Sequence, residues 1–81
     1  MKIAFTGPAI VDGIHLERKH LVALAESKGH TVQSKIDAHT DCLVCCDEYF
    51  IMRSTAKLRA YGQSQRTERI TPAEFLKRMD Y

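Results

Sequence analysis

The chain has 81 residues, of which 44% are hydrophobic and 27% charged, with a formal net charge of +2. These values are typical of one globular domain, spanning residues 1–81, and exclude a disordered or collagen-like chain. No apolar run approaches the roughly 20 residues that a membrane span needs, and the N-terminal apolar stretch is too short for a signal peptide. The sequence therefore predicts a cytoplasmic protein that has no membrane partner.

The first half of the chain predicts two strands and one helix. Residues 3–5 form a short apolar run that stops at a Thr-Gly-Pro turn. Apolar residues recur with helical spacing over 16–28, and Gly29 follows as the residue that ends the helix. Residues 31–33 are a short second strand. The stretch 8–16 is predicted to be a long loop.

Three cysteines, Cys42, Cys45 and Cys46, lie within one five-residue apolar run. An odd number of closely spaced cysteines is not a disulfide framework, and no further Cys or His pair follows that would complete a metal site. The run favours a strand that is buried on both faces. Cys45 or Cys46 with His39 as base is the alternative, catalytic interpretation. We expect a protein that is not an enzyme, with no metal and no cofactor.

The second half predicts a helix over 54–61, a weak strand over 68–70 and a final helix. Thr71, Pro72 and Glu74 provide the N-cap, N1 and N3 residues of a capping box. The resulting order is β-α-β-β-α-β-α. This alternation predicts an α/β fold with a small parallel sheet and helices on both faces.

Two apolar stretches, 9–11 and 49–52, show no clear periodicity. Each is either core beneath a loop or an exposed patch for a partner. Charge is also uneven, since residues 37–48 contain four acidic residues and no Lys or Arg, whereas 53–69 contain five basic residues and one acidic residue. The basic segment is either a solvated face or a surface for an anionic partner.

The placement of several cations favours the anionic partner. Thr6 and Gly7 end the first strand, and ligands of parallel α/β sheets gather at such carboxyl ends. Arg18, Lys19 and Lys57 lie in the first turns of helices, where the helix dipole disfavours positive charge. A bound anion would reverse that effect, because helix N-termini and cations both attract phosphate. We therefore predict a phosphate site at this edge.

Segments that cover essentially the whole chain resemble those of one known family in the same order. They are Phe5-Thr6-Gly7, Glu17-Arg18, Gly29-His30-Thr31-Val32, Thr40-Asp41-Cys42-Leu43-Val44, Thr55-Ala56-Lys57 and Ile70-Thr71-Pro72-Ala73-Glu74-Phe75-Leu76. The chain resembles the BRCT domain, a module of DNA ligases, clamp loaders and DNA-damage-response proteins. The bacterial NAD-dependent ligase and clamp-loader large-subunit type is the most similar. Departures include the long loop 8–16, Cys46 in place of a common glycine, and Phe75 near the position of a common tryptophan.

The resemblance implies a four-stranded parallel sheet in the order 2-1-3-4 and a non-catalytic binding module of DNA replication or repair. It implies that the Thr6 hydroxyl and the Gly7 N–H hold phosphate oxygens, while Lys57 supplies charge. In the clamp-loader type, which binds the 5′ phosphate of duplex DNA, the arginine at the position of Arg18 also contributes. We expect Arg53, Thr55 and Arg59 to assist, although Thr55 is also a natural N-cap.

The alternative function is a protein–protein adaptor for a replication or repair enzyme. It would bind a phosphoprotein or dock through an apolar face, as a monomer or as a homodimer. Phosphopeptide recognition in the family generally uses two domains in tandem, and this chain has one. Either function implies the cytoplasm of a bacterial or phage-infected cell, close to the nucleoid.

Overall fold

Four short parallel strands form the central sheet, and a two-stranded hairpin lies beside it. The computed structural model describes residues 1–52 and 54–81. In chain order the elements are β1 (Lys2–Phe5), β2 (Ala9–Val11), β3 (Ile14–Leu16), α1 (Arg18–Ser27), β4 (Thr31–Gln33), β5 (Cys42–Val44), α2 (Asp47–Met52), α3 (Ala56–Gln63), β6 (Glu68–Ile70) and α4 (Pro72–Arg78). The sheet order is β4-β1-β5-β6 with all pairs parallel, which confirms the predicted α/β class and strand order.

The two central strands separate the core into two layers. Alternate side chains of β1 point to opposite faces, as strand geometry requires. Ile3 and Phe5 pack in one layer with residues of α1 and α4, whereas Ala4 packs in the other with Leu58 of α3. All five residues from Cys42 to Cys46 are buried. Helices therefore cover both faces, and the prediction of a doubly buried strand is confirmed for Cys42–Val44, while Cys45 and Cys46 are buried just beyond the strand.

Helix α1 ends as its sequence predicts. Gly29 adopts a positive φ of 85°. Its N–H donates to the carbonyl of Glu26 at 3.0 Å, and the N–H of His30 donates to that of Ala25 at 3.1 Å. These two bonds satisfy the last carbonyls of the helix and turn the chain toward β4.

The start of helix α4 confirms half of the predicted capping box. Thr71 Oγ1 accepts the N–H of Glu74 at 3.2 Å, and Pro72 occupies the first helical position. The Glu74 carboxylate does not return to the cap; it accepts from Arg78 at 3.2 Å instead. Arg78 also forms an ion pair with Glu68 of β6 at 2.9 Å, and this pair links helix α4 to the sheet.

The prediction of a loop over 8–16 is wrong, because these residues form the β2–β3 hairpin. Asp12 and Gly13 form its turn, with φ values of 52° and 78°. Positive φ at both central residues matches the twist of the flanking strands. The hairpin packs through Ala9 and Leu16 onto the core layer that contains α1 and α4.

The segment after β5 is helix α2, and its four apolar residues divide into two pairs. Tyr49 and Phe50 pack against the core layer beneath α3. Ile51 and Met52 are each 78% exposed. The stretch is therefore core at Tyr49 and Phe50 and exposed at Ile51 and Met52, and the binding of a partner by the exposed pair stays a prediction.

The acidic and basic segments partly neutralise each other across the sheet. Arg66 pairs with Asp41 at 2.6 Å, and Arg69 pairs with Asp47 at 2.7 Å. These arginines are therefore not available as a free basic surface. Among the residues that the structure describes, no helix is long and apolar enough to cross a membrane.

The core depends on Phe75, which is fully buried and meets the Phe5 ring edge-on at 5.2 Å between ring centroids. We expect Phe75→Ala to lower the free energy of unfolding by about 3–4 kcal/mol, because it leaves a cavity between α4 and the sheet. Urea unfolding followed by circular dichroism measures this. Tyr81→Ala, at an 86% exposed position, is the control and should change stability by less than about 0.5 kcal/mol. A loss below about 1 kcal/mol for Phe75→Ala would contradict the described packing.

Candidate phosphate site at the carboxyl edge of the sheet

Two cations from opposite faces of the sheet meet at the end of β1. Arg18 is the first residue of α1, and its Nη2 donates to the carbonyl oxygen of Gly7 at 2.7 Å. Lys57 lies in the first turn of α3, and its Nζ donates to the carbonyl oxygen of Phe5 at 2.7 Å. The structure therefore brings together Arg18 and Lys57, two of the cations predicted from the sequence.

These cations line a shallow crevice of about 270 Å³. Its walls also contain Gln33 and Ser34, which follow β4 and reach the site because β4 pairs with β1. Sequence reasoning missed both residues, since only the strand order makes them neighbours of Arg18. Gln33 is held in place by the buried Thr40, whose Oγ1 donates to Gln33 Oε1 at 2.7 Å.

Two hydrogen-bond donors, on Thr6 and Gly7, follow β1 and have no protein acceptor in the described residues, although neither residue lines the crevice. Within 1–52 and 54–81, the Thr6 hydroxyl and the Gly7 N–H make no hydrogen bond, although the Thr6 N–H donates to the Val44 carbonyl at 3.1 Å. The Thr6 hydroxyl is not fully buried, because every fully buried side-chain oxygen in those ranges has a partner. The Thr6 hydroxyl can therefore donate to an oxyanion, and the Gly7 N–H has no acceptor within the described protein.

The charges at this edge are not neutralised within the protein. In the described part of the chain, neither Arg18 nor Lys57 has a carboxylate at ion-pair distance, and the neighbouring Glu17 binds Lys19 at 3.1 Å. Burial lowers the pKa of the Lys57 ammonium, and the nearby Arg18 lowers it further. A bound anion would offset both effects, because it favours the charged form of the amine. The site is thus electrostatically suited to phosphate.

Helix α2 contacts the end of β1 through Tyr49. Gly7 has a φ of 74°, and a Cβ added there would lie 2.6 Å from Cγ of Tyr49. The tyrosine ring therefore lies directly against the Gly7 backbone, a contact that only glycine allows. The residue pattern of 47–52 did not indicate this contact.

The remaining candidate residues lie around the site and have other contacts. Thr55 Oγ1 accepts the N–H of Leu58 at 3.3 Å, so it caps α3. Arg59 Nη1 donates to the carbonyl of Ser54 at 3.1 Å, and it follows Lys57 by two positions, or about 200° around the helix. Arg59 therefore adds charge near the start of α3 without lining the crevice. Arg53 lies outside the described residues.

The catalytic alternative lacks the geometry that it needs. His39 lines a pocket with Met1 and Lys2 at the amino edge of the sheet, whereas Cys46 lines a pocket with Thr71 at the carboxyl edge. Strand β5 lies in the chain between His39 and the candidate nucleophiles Cys45 and Cys46, and His39 shares no pocket with Cys46. Burial, together with the adjacent Cys46, raises the pKa of the Cys45 thiol to about 11. Within the described ranges, no three His, Cys, Asp or Glu side chains form a group that could hold a metal ion.

Comparison of the chain with family models, with curated proteins and with solved structures gives no match.

Gly7→Ala should destabilise the protein more than Gly29→Ala. Both positions have positive φ, which costs about 1–2 kcal/mol for alanine, but only Gly7 has a neighbour within 4 Å of the added Cβ. The contact with Tyr49 should therefore add about 1–2 kcal/mol at Gly7. Denaturant unfolding of both variants measures the difference. Equal losses would show that the Tyr49 ring does not lie against Gly7.

Cys45 should react slowly with a thiol reagent in the native protein. A pKa of about 11 leaves roughly one thiolate in a thousand at pH 8. Mass-spectrometric mapping after brief iodoacetamide treatment, with and without guanidinium, locates the modified cysteines. We expect alkylation of Cys45 only in guanidinium. Rapid alkylation of native Cys45 would contradict its burial and revive the catalytic alternative.

Proposed function

We propose that the protein is a non-catalytic module that binds a terminal phosphate at the carboxyl edge of its sheet, and that the ligand is a 5′-phosphorylated DNA end. One observation carries the proposal. Arg18 and Lys57 reach the end of β1 from opposite faces, where they donate to the Gly7 and Phe5 carbonyls, and neither has a carboxylate partner in the described chain. Backbone N–H, hydroxyl and two cations are the groups that bind phosphate oxygens in proteins.

A terminal phosphate suits this site better than an internal one. A phosphate monoester has three free oxygens and a charge between −1.5 and −2 at neutral pH, which matches two cations and two neutral donors. An internal diester has two free oxygens and a single charge. The site therefore favours the end of a strand over its interior.

The resemblance to clamp-loader and ligase BRCT domains supports DNA as the carrier of that phosphate, since Thr6, Gly7, Arg18 and Lys57 all match the positions that the resemblance implies. The proposal places the protein in the cytoplasm of a bacterial or phage-infected cell, at the nucleoid, in DNA replication or repair. Its affinity for DNA should fall with salt, because phosphate contacts release counterions.

The second candidate is a protein–protein adaptor, and the exposed pair Ile51 and Met52 favours it. Two adjacent exposed aliphatic side chains are a common feature of docking surfaces, although isolated ones occur on most proteins. The adaptor would need no phosphate. Two measurements test the adaptor function. One is the oligomeric state of the protein, and the other is whether binding to a partner protein requires Ile51 and Met52.

Lys57→Gln should weaken binding to a 5′-phosphorylated duplex by roughly 10- to 100-fold, because one charge-assisted hydrogen bond of about 1.5–3 kcal/mol is lost. The binding of a 5′-hydroxyl duplex should change little. Fluorescence anisotropy at two salt concentrations measures both affinities, and thermal unfolding verifies the fold of the variant.

Lys28→Gln is the matched control, because it removes the same charge from an exposed residue at the other end of α1. It should leave the preference for the 5′ phosphate unchanged. Equal effects of Lys57→Gln and Lys28→Gln on DNA affinity would show that net charge, and not a specific phosphate site, accounts for the binding. If the wild-type protein binds phosphate and hydroxyl ends equally, the proposal is wrong.

A further inference from the structure

A second cavity adjoins the crevice that contains Arg18 and Lys57. It has a volume of about 410 Å³, which is within the range of pockets that bind small ligands. Ser34 and Lys57 line both cavities, so the two are direct neighbours. We call the second cavity the α3 pocket, because one of its walls is helix α3. Its other lining residues are Lys35, Ile36, Ala56 and Ala60.

The wall of the α3 pocket opposite the helix is held in place by the core and by a buried threonine. Ile36 packs against the core layer that contains Leu58. The loop between Gln33 and Asp37 is held at both ends by Thr40, whose Oγ1 donates to Gln33 Oε1 at 2.7 Å and accepts the N–H of Asp37 at 2.9 Å. The pocket is therefore formed before a ligand binds, which lowers the entropic cost of binding.

The α3 pocket combines apolar walls with a few polar groups. Ile36, Ala56 and Ala60 supply the apolar surface. Ser34 is exposed where the pocket meets the crevice, and its hydroxyl can both donate and accept a hydrogen bond. A nucleobase has the matching combination, since its flat faces pack on other groups and its edge carries donors and acceptors. The pocket therefore suits a base better than a wholly apolar group.

The charges around the two cavities suit a nucleic-acid strand. Arg18, Lys35 and Lys57 line them, and among the described residues no Asp or Glu does. Lys35 has no carboxylate partner within 1–52 and 54–81. The 5′-terminal nucleotide of a strand carries its terminal phosphate, and a phosphodiester follows it. Three cations therefore match two phosphate groups, which favours a nucleic acid over a peptide with one phosphate.

We propose that the α3 pocket binds the unpaired base of the 5′-terminal nucleotide whose phosphate lies at Arg18 and Lys57. This inference rests on the proposed function. One sugar joins a base to its 5′ phosphate, which fits two cavities that share Ser34 and Lys57. A base enters such a pocket only when it leaves the duplex stack, and this costs least for a base that is already single-stranded. The protein should therefore prefer a phosphorylated 5′ overhang to a blunt end.

Four DNA hairpins test the inference with the wild-type protein. Three are 5′-phosphorylated: one has a blunt end, one has a two-nucleotide 5′ overhang, and one has the same overhang with an abasic terminal nucleotide. The fourth has the overhang and a 5′ hydroxyl. Fluorescence anisotropy should show that the phosphorylated overhang binds about tenfold more tightly than the blunt or the abasic end, the scale expected for burying one apolar group.

These hairpins distinguish failure of the inference from failure of the proposed function. Equal affinity for the normal and the abasic overhang would overturn the inference while a preference for phosphate over hydroxyl still stands. Equal affinity for the 5′ phosphate and the 5′ hydroxyl would instead overturn the proposed function.

Ala56→Leu tests the pocket from the side of the protein. Ala56 is exposed and lines the α3 pocket but not the crevice, and leucine retains the helix, so the variant should fold. It should lose the roughly tenfold advantage of the overhang and bind the phosphorylated blunt end as before. Ala23→Leu, at an exposed position of α1, is the matched control and should change neither affinity. An overhang advantage that survives Ala56→Leu would overturn the inference.

A phosphoserine peptide with a neighbouring leucine tests a protein ligand of the same pocket. We expect it to bind more weakly than the overhang hairpin, because it presents one phosphate to three cations. Tighter binding of the peptide than of the hairpin, lost in Ala56→Leu, would assign the α3 pocket to a protein ligand and overturn the inference.

Discussion

The position of β1 within the sheet governs the arrangement of the candidate site. The chain passes from β1 to β4 on one side and then crosses to β5 on the other side, so the direction of the strand order reverses at β1. At such a point the connections leave a crevice at the carboxyl ends of the strands. Helices α1 and α3 begin there on opposite faces. Arg18 and Lys57 can meet only because this topology brings two helix starts to one strand end.

The distribution of paired and unpaired cations distinguishes this edge from the rest of the surface. At the amino edge Asp41 accepts the N–H of Lys2 and pairs with Arg66, and both contacts lower its pKa. Along β6, Arg69 binds Asp47. At the end of β1 the cations instead donate to backbone carbonyls, which leaves their charge uncompensated. Net charge alone would not separate these surfaces, since the chain is only weakly basic.

Much of the fold was predictable because its signals are local. The apolar run 42–46, the glycine after α1 and the Thr-Pro start of α4 each act within a few residues. The β2–β3 hairpin carries an Asp-Gly turn signal, which favours a two-residue hairpin over the loop predicted for 8–16. Helix α2 is harder to predict, because its two inward aromatic residues and two outward aliphatic residues do not form an apolar stripe.

The site was predictable only in part, because its composition depends on strand register. Thr6, Gly7, Arg18 and Lys57 follow from the ends of elements, which sequence patterns mark well. The ion pair between Arg66 and Asp41 forms because β6 lies beside β5. Gln33 lines the crevice because β4 lies beside β1. Tyr49 reaches Gly7 through tertiary packing that no local pattern encodes. By contrast, the N-cap role of Thr55 depends only on neighbouring residues, and the sequence predicted it.

If an anion binds to the donors at the end of β1, the backbone amide of Gly7 is the group that should respond to it. The measurement is a titration of ¹⁵N-labelled protein with a 5′-phosphorylated hairpin duplex, followed by two-dimensional amide NMR, with the 5′-hydroxyl hairpin as reference. We expect the Gly7 amide to shift most strongly, and only with the phosphorylated DNA. Identical shifts with both hairpins, or shifts centred on the amino edge around Asp41, would contradict it.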